Sequence, residues 1–257
     1  RLNYKMNNYD VAILPSEMRY WIMMGCALFM GWIFIKCFDK VSVENRDYYL
    51  KRLGFAIVAI QIFLPAYTIL NPDQTLSFHR SLPLHFCGLN FWLLALNCFI
   101  RNRKLFVYTF FTSLLGGFYS LLTPLLTVGD SPFVMIHYSL VHTGLFVVPI
   151  VMIRIYGMRL KSFDWLRAYL FAALISTLMI FINGFINLFE SPDGVLANYM
   201  FVSEAPHVTN PFLFPSLGWP LYIVPLHFAF LLHMLVVNMI YRAREVGPIV
   251  DKLRIWQ

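Results

Sequence analysis

The sequence predicts an all-α integral membrane protein: a polytopic helical bundle of about seven transmembrane helices, N-terminus outside and C-terminus cytoplasmic. Three observations carry this. The 257 residues are 59% hydrophobic and 13% charged, about half the roughly 25% charge of a soluble domain. Uninterrupted apolar runs long enough to cross about 30 Å of hydrocarbon recur along the chain. Lys and Arg collect at alternate ends of those runs, as membrane flanks do. A water-soluble globule could not hide so much apolar surface, and runs without period-two alternation exclude a transmembrane β-barrel. The net charge of +7 does not indicate nucleic acid, because the basic residues lie between apolar runs rather than on one patch.

Taken in order, the spans fall at 20–38, 53–70, 82–100, 105–126, 133–155, 165–189 and 218–241. Pro65, Pro83, Pro124, Pro149 and Pro225 lie near or within them, where membrane helices accept kinks. Lys40, Arg46, Lys51 and Arg52 follow the first span, and Arg101, Arg103 and Lys104 the third. Arg154, Arg159, Lys161 and Arg167 accompany the end of the fifth, and Arg242, Arg244, Lys252 and Arg254 the seventh. The opposite side holds only Arg1, Lys5, Arg19 and Arg80. By the positive-inside rule this bias sets the orientation given above. Most connections are short, and no repeat or second domain is visible, so residues 1–257 form a single membrane domain. The longest connection, 190–217, contains Pro192, Pro206, Pro211 and Pro215. No cleavable signal is predicted. Cys26, Cys37, Cys87 and Cys98 all fall in apolar stretches and give no disulfide framework.

Polar residues gather toward the outer side. His79 and Arg80 precede the third span; His85, Cys87 and Asn90 lie in its first turns. His137 and His142 lie in the outer half of the fifth span, Asn183 and Asn187 at the end of the sixth, and His227 early in the seventh. Asn198, Tyr199 and His207 lie in the long connection, and only His233 sits deeper. Strongly polar groups in a bilayer tend to face a bundle interior or a cavity. Singly, such a residue is more often an interhelical hydrogen bond of about 1 kcal/mol. Together, His85, Cys87, His137, His142 and His227 indicate a shared outer-leaflet cavity.

Cysteine beside histidine suits nucleophilic acyl chemistry, since a thiolate attacks and an imidazole takes its proton. Asn90 shares a helical face with Cys87. His85, two residues away, would point about 200° around an ideal helix. The base then comes from another helix, His142 or His137 first, unless Pro83 distorts the helix start and brings His85 round. Cys26, Cys37 and Cys98 lack polar company and read as packing residues. Three histidines and a cysteine could hold zinc, but no HxxxH or CxxC spacing pre-forms a site. No metal and no cofactor are expected.

Two blocks resemble a known family. Leu82-Pro83-Leu84-His85-Phe86-Cys87 looks like the YwaF-like family of integral membrane proteins, which includes animal transmembrane protein 164. Ala197-Asn198-Tyr199-Met200-Phe201, Pro206, Asn210-Pro211 and Gly218-Trp219-Pro220-Leu221-Tyr222 resemble the family's Asn-Tyr-Met loop and the Gly/Trp/Pro-rich approach to its last helix. The family typically has Gly-Pro-Trp-Pro there, whereas Trp219 directly follows Gly218 here. His137 to His142 takes the place of the family's His-containing helix. The resemblance implies a heptahelical bundle and, through the animal member, phospholipid acyl transfer with a cysteine nucleophile at the Cys87 position.

On that reading a lipid ester enters laterally from the outer leaflet and Cys87 attacks its carbonyl. His142 or His137, with His85 in reserve, moves the proton, and Asn90 or Asn183 donates to the oxyanion. His227, Asn198 and Tyr199 complete the expected binding residues. Membrane lipids are the expected partners. One alternative is a non-catalytic subunit of a larger assembly, docking a protein through the 190–217 loop. Another is a transporter or ligand sensor, against which no Asp, Glu, Lys or Arg lies deep within a span. The charge bias fits a bacterial inner membrane, and equally an endoplasmic reticulum membrane with the site facing the lumen.

Overall fold

The computed structural model describes residues 11–71, 77–192, 194–206 and 211–245. His207, Asn210, Arg1, Lys5, Lys252 and Arg254 lie outside them. Among the described residues there are seven α-helices: α1 (Met18–Asp39), α2 (Arg46–Leu70), α3 (Phe86–Ile100), α4 (Arg103–Leu122), α5 (Pro132–Arg154), α6 (Asp164–Ile186) and α7 (Ile223–Glu245). Six are long and apolar enough to cross a membrane. The chain is an all-α integral membrane protein.

The exception is α3. Its 15 residues cover roughly 22 Å at 1.5 Å per residue, short of the hydrocarbon thickness of about 30 Å. The expected span 82–100 therefore begins late. Pro83 lacks an N–H and biases Leu82 toward extended backbone, and His85 is itself extended, at φ −61° and ψ 148°. Helix starts only at Phe86. Arg101 pairs with Asp47 at 2.6 Å, which aligns the end of α3 with the start of α2. Near its own start, the Gly88 carbonyl accepts from Gln61 Nε2 at 2.9 Å. Nine residues of α2 continue past Gln61 while only two of α3 precede Gly88, so α3 begins roughly 10 Å below the end of its neighbour. Non-helical backbone at such depth is tolerated where it lines a cavity, and here it does.

Other boundaries shift for local reasons. The fourth helix ends at Leu122 rather than 126, and β2 (Leu125–Leu126) then pairs antiparallel with β1 (Val11–Ala12). That short ladder is absent from the sequence expectation. The last helix starts at Ile223 rather than 218, because Gly218 takes φ +69° and ends a 3-10 turn.

Helices α4 and α5 form the centre. In each, 56% of the apolar stretch is buried, against 17–22% in α1, α2, α6 and α7, whose remaining faces are left for lipid. A Cβ on Gly117 of α4 would lie 2.8 Å from the His142 carbonyl oxygen and 3.0 Å from the Phe146 nitrogen. Only glycine lets the two backbones come this close. Helix α3 packs against α2, α4 and α5, and the α6–α7 pair covers the far side of α4. One end of the bundle is basic and laced with ion pairs, including Arg103–Asp164 at 2.5 Å and Arg154–Asp39 at 2.9 Å. The other end is poor in basic residues, and the cavity lies there.

Candidate functional site

The hollow above the start of α3 is a cavity of about 430 Å³. Its walls come from the last turns of α2, residues 80–88, the end of α4 with the strand after it, and α5; Met200 and Phe201 sit over it. Of the nine residues expected at a site, the structure brings four to this cavity: His85, Cys87, His137 and His142. His85 does so because it precedes the helix, so the 200° argument does not apply. It meets the ring of Tyr199 edge-on at 5.1 Å and the tilted ring of Phe201 at 5.2 Å.

The cysteine stands in the second helical position of α3, facing α4. Its Sγ is 3.3 Å from Ser120 Oγ. Gly116, one turn earlier on α4, makes room for the adjacent Phe86 ring: a Cβ there would meet Phe86 Cδ1 at 3.3 Å, and Cys87 Sγ at an ordinary 3.8 Å. Tyr138 of α5 donates its hydroxyl to the Ser120 carbonyl at 2.8 Å, tying the serine to the helix that carries the histidines. His142 lies one turn further, its ring 3.9 Å from that of Tyr138.

Hydrogen bonds set the tautomers. His142 Nδ1 is 2.7 Å from the Tyr138 carbonyl. A carbonyl only accepts, so Nδ1 carries the proton and the lone pair of the neutral ring is on Nε2. No partner for that Nε2 is found among the described residues, and the side chain is only 6% exposed. His137 has the opposite arrangement: Nε2 donates to the Ile60 carbonyl at 3.0 Å, leaving its lone pair on Nδ1. A thiol, a hydroxyl beside it, and an imidazole with a free lone pair thus share one apolar-walled hollow. Such a set can form and break an ester.

The other five expected residues are elsewhere. Asn90 is fully buried below the cavity, its amide nitrogen on the Phe86 carbonyl at 2.7 Å and its oxygen accepting from Thr112 at 2.7 Å. Asn183 is likewise buried and holds Tyr199 N–H, Tyr199 C=O and Ser203 Oγ. Asn198 accepts from the N–H groups of Ser203 and Glu204 and donates to the Glu204 carbonyl. Tyr199 donates to the Phe78 carbonyl at 2.7 Å and accepts from Leu82 N–H at 3.0 Å. These four give no oxyanion donor or ligand group to the cavity, because none of them lines it and their polar atoms hold neighbouring backbone and hydroxyl groups. His227 pairs with Ser176 at 3.1 Å, between α6 and α7.

Ser120, Tyr138 and Gln61 were not singled out from the sequence. A serine near a helix end in an apolar run reads as a hydroxyl bonded to its own backbone, and nothing local marks it otherwise. Among the described residues no group of three or more His, Cys, Asp or Glu could hold a metal ion.

Fold and site together define a polytopic membrane protein with a buried Cys/His cavity at one end of its bundle. The model of the TMEM164 family matches residues 14–238, and the chain belongs to that family. No curated protein and no solved structure matches it.

Proposed function

We propose that this chain is a lipid acyltransferase that works through a thioester on Cys87. The observation that carries the reading is the shared cavity of Cys87 Sγ and His142, whose free lone pair is on Nε2. His142 takes the thiol proton, and the thiolate adds to the ester carbonyl of a phospholipid. The ester C–O bond breaks, His142 returns the proton to the departing lysolipid oxygen, and the acyl group stays on sulfur. A second lysolipid hydroxyl then loses its proton to His142 and attacks the thioester. The new ester forms and the thiol is restored. No cofactor enters the balance. Ser120 supports the sulfur, and Tyr138 holds both Ser120 and the His142 tautomer. His137, with its lone pair on Nδ1, lines the same cavity and is the alternative base in this scheme.

Membrane lipids are the partners on this reading. A protein docking through residues 190–217 would have to use groups other than the Asn198 and Tyr199 side chains, which are occupied within the chain. We read the base-poor end as non-cytoplasmic, which sets the N-terminus outside and the C-terminus inside. That fits a bacterial inner membrane, or an endoplasmic reticulum membrane with the cavity facing the lumen.

The test is intact-protein mass spectrometry of gently purified protein with native lipid, beside Cys87→Ser and His142→Gln. The wild type should carry a fatty-acyl mass that hydroxylamine removes, and Cys87→Ser should lack it. Lipid acyl exchange that survives Cys87→Ala would refute the Cys87 mechanism, and a wild type with neither adduct nor exchange would favour a non-catalytic assembly subunit or a transporter.

A further inference from the structure

An acyl-transfer site needs donors for the oxygen that becomes negative when the carbonyl is attacked. The two asparagines expected to supply them do not reach the cavity. Other donors stand beside the sulfur. An α-helix leaves its first N–H groups without intrahelical acceptors, and α3 has no side-chain cap. Its first internal bond runs from Leu89 N–H to the His85 carbonyl at 2.9 Å. The N–H groups of Phe86, Cys87 and Gly88 have no acceptor among the described residues, and all three residues line the cavity. An uncapped helix start in water would mean little. Here it opens into a membrane-embedded hollow, where an unmet N–H is costly.

A second observation marks the same hollow as a ligand site: the buried His142 turns an unpartnered Nε2 into it. The partial positive charge of a helix N-terminus, roughly half an elementary charge, adds to the bias toward an anionic oxygen. The side chain of Gln61, also on the wall, fixes the Gly88 peptide through its 2.9 Å bond to the Gly88 carbonyl. An amide nitrogen has two hydrogens, so one N–H remains after that bond. A Cβ at 88 would meet Pro83 Cα and its carbonyl oxygen at 3.4 Å, an ordinary contact, so alanine there leaves the donor in place.

We propose that the first turn of α3 is the oxyanion hole of this protein: the N–H groups of Cys87 and Gly88, with the Gln61 amide as positioning group, hold the oxygen of a fatty-acyl ester as Cys87 attacks it. The proposal rests on the reading of Cys87 as nucleophile. During attack the Sγ–C bond forms while the carbonyl π pair moves to oxygen. These donors meet that charge, and the pair returns when the ester C–O bond breaks.

The experiment uses full-length protein carrying Cys26→Ala and Cys37→Ala, since those two thiols are exposed. Two rates on Cys87 are compared: acylation by a p-nitrophenyl fatty-acyl ester, which passes through an oxyanion, and alkylation by iodoacetamide, which does not. Gly88→Pro removes one donor in the first helical turn; proline also restricts the residue before it, Cys87, so the alkylation rate reports whether the thiol has moved. It should slow acylation by about 100-fold while alkylation changes by less than about 3-fold. Gly88→Ala keeps the N–H and should lose at least about 10-fold less than Gly88→Pro. Gln61→Leu, on a different helix, should slow acylation by about 10-fold with alkylation again spared, and stands in if Gly88→Pro does not fold. Acylation untouched by both Gly88→Pro and Gln61→Leu overturns the oxyanion hole. So does equal slowing of the two reactions, which would mean the thiol had moved. A wild type that forms no thioester removes the acyl-transfer reading itself, a result distinct from either.

Discussion

Gly117→Ala tests whether the two central helices meet as closely as described. The added methyl would stand 2.8 Å from the His142 carbonyl oxygen, 3.0 Å from the Phe146 nitrogen and 3.1 Å from Leu145 Cβ. Two of these are backbone atoms of α5 and cannot rotate aside. Restoring ordinary contact needs about 0.5 Å of helix separation, and overpacking of this kind costs about 1–3 kcal/mol. Replacing glycine within a helix recovers up to about 1 kcal/mol of propensity, so a net loss of about 1–2 kcal/mol is expected. Gly25→Ala is the control, because a Cβ there meets nothing within 4 Å. Thermal unfolding in detergent, followed by tryptophan fluorescence, should give a clearly lower midpoint for Gly117→Ala than for Gly25→Ala. The strained atom is the carbonyl of His142 itself, so any acyl transfer should also fall. Equal midpoints for the two variants would refute the close α4–α5 approach and the placement of His142 that depends on it.

Removing the Ser120 hydroxyl deprives the Cys87 sulfur of its 3.3 Å partner. Ser120→Ala should slow Cys87 acylation by about 5-fold, in line with about 1 kcal/mol for such a bond, and an unchanged rate would argue against the pairing. Tyr199→Phe leaves the Phe78 carbonyl and Leu82 N–H without their shared hydroxyl, a loss of about 1–3 kcal/mol; the melting midpoint should drop and proteolysis near residue 80 should speed up. Glu17 accepts from Leu14 N–H and pairs with Arg19, which together hold its carboxyl below the usual glutamate range. A depressed folded value stabilises the protein above the unfolded value, and this is lost as pH falls through the folded one. Melting midpoints of the wild type should therefore fall more than those of Glu17→Gln between about pH 5 and pH 3, and parallel curves would exclude the contribution.

Hydropathy alone made most of the bundle legible, because six helices are long enough for their apolar runs to stand out from polar flanks. Helix α3 was harder. Its apolar run continues through Leu82 and Leu84 although the helix does not, and hydropathy cannot see that Pro83 and an extended His85 delay it. The open question about His85 was thus one of backbone, decided by a ψ of 148°. Cys87, His137 and His142 were conspicuous as polar groups in apolar surroundings. Asn90, Asn183, Asn198 and Tyr199 were conspicuous for the same reason, yet they bind backbone instead. Type and depth do not distinguish a residue facing a hollow from one facing a carbonyl; that depends on which helix lies opposite. Ser120 is not legible in the sequence because its meaning comes wholly from α3 and α5.

On the proposed acyl-transfer reading, the late start of α3 makes depth a filter. Phospholipid ester carbonyls lie at the edge of the hydrocarbon layer, beneath phosphate and glycerol. A thiol at the top of a helix that stops below its neighbours waits near that level. A lipid donor can deliver its reactive carbon by sliding sideways, with both tails still in hydrocarbon. An acyl group on a water-soluble carrier must instead descend past Met200 and Phe201 and shed its hydration on the way. Discrimination between bilayer and soluble donors would then come, on that reading, from where the sulfur sits along the membrane normal, before any headgroup is recognised.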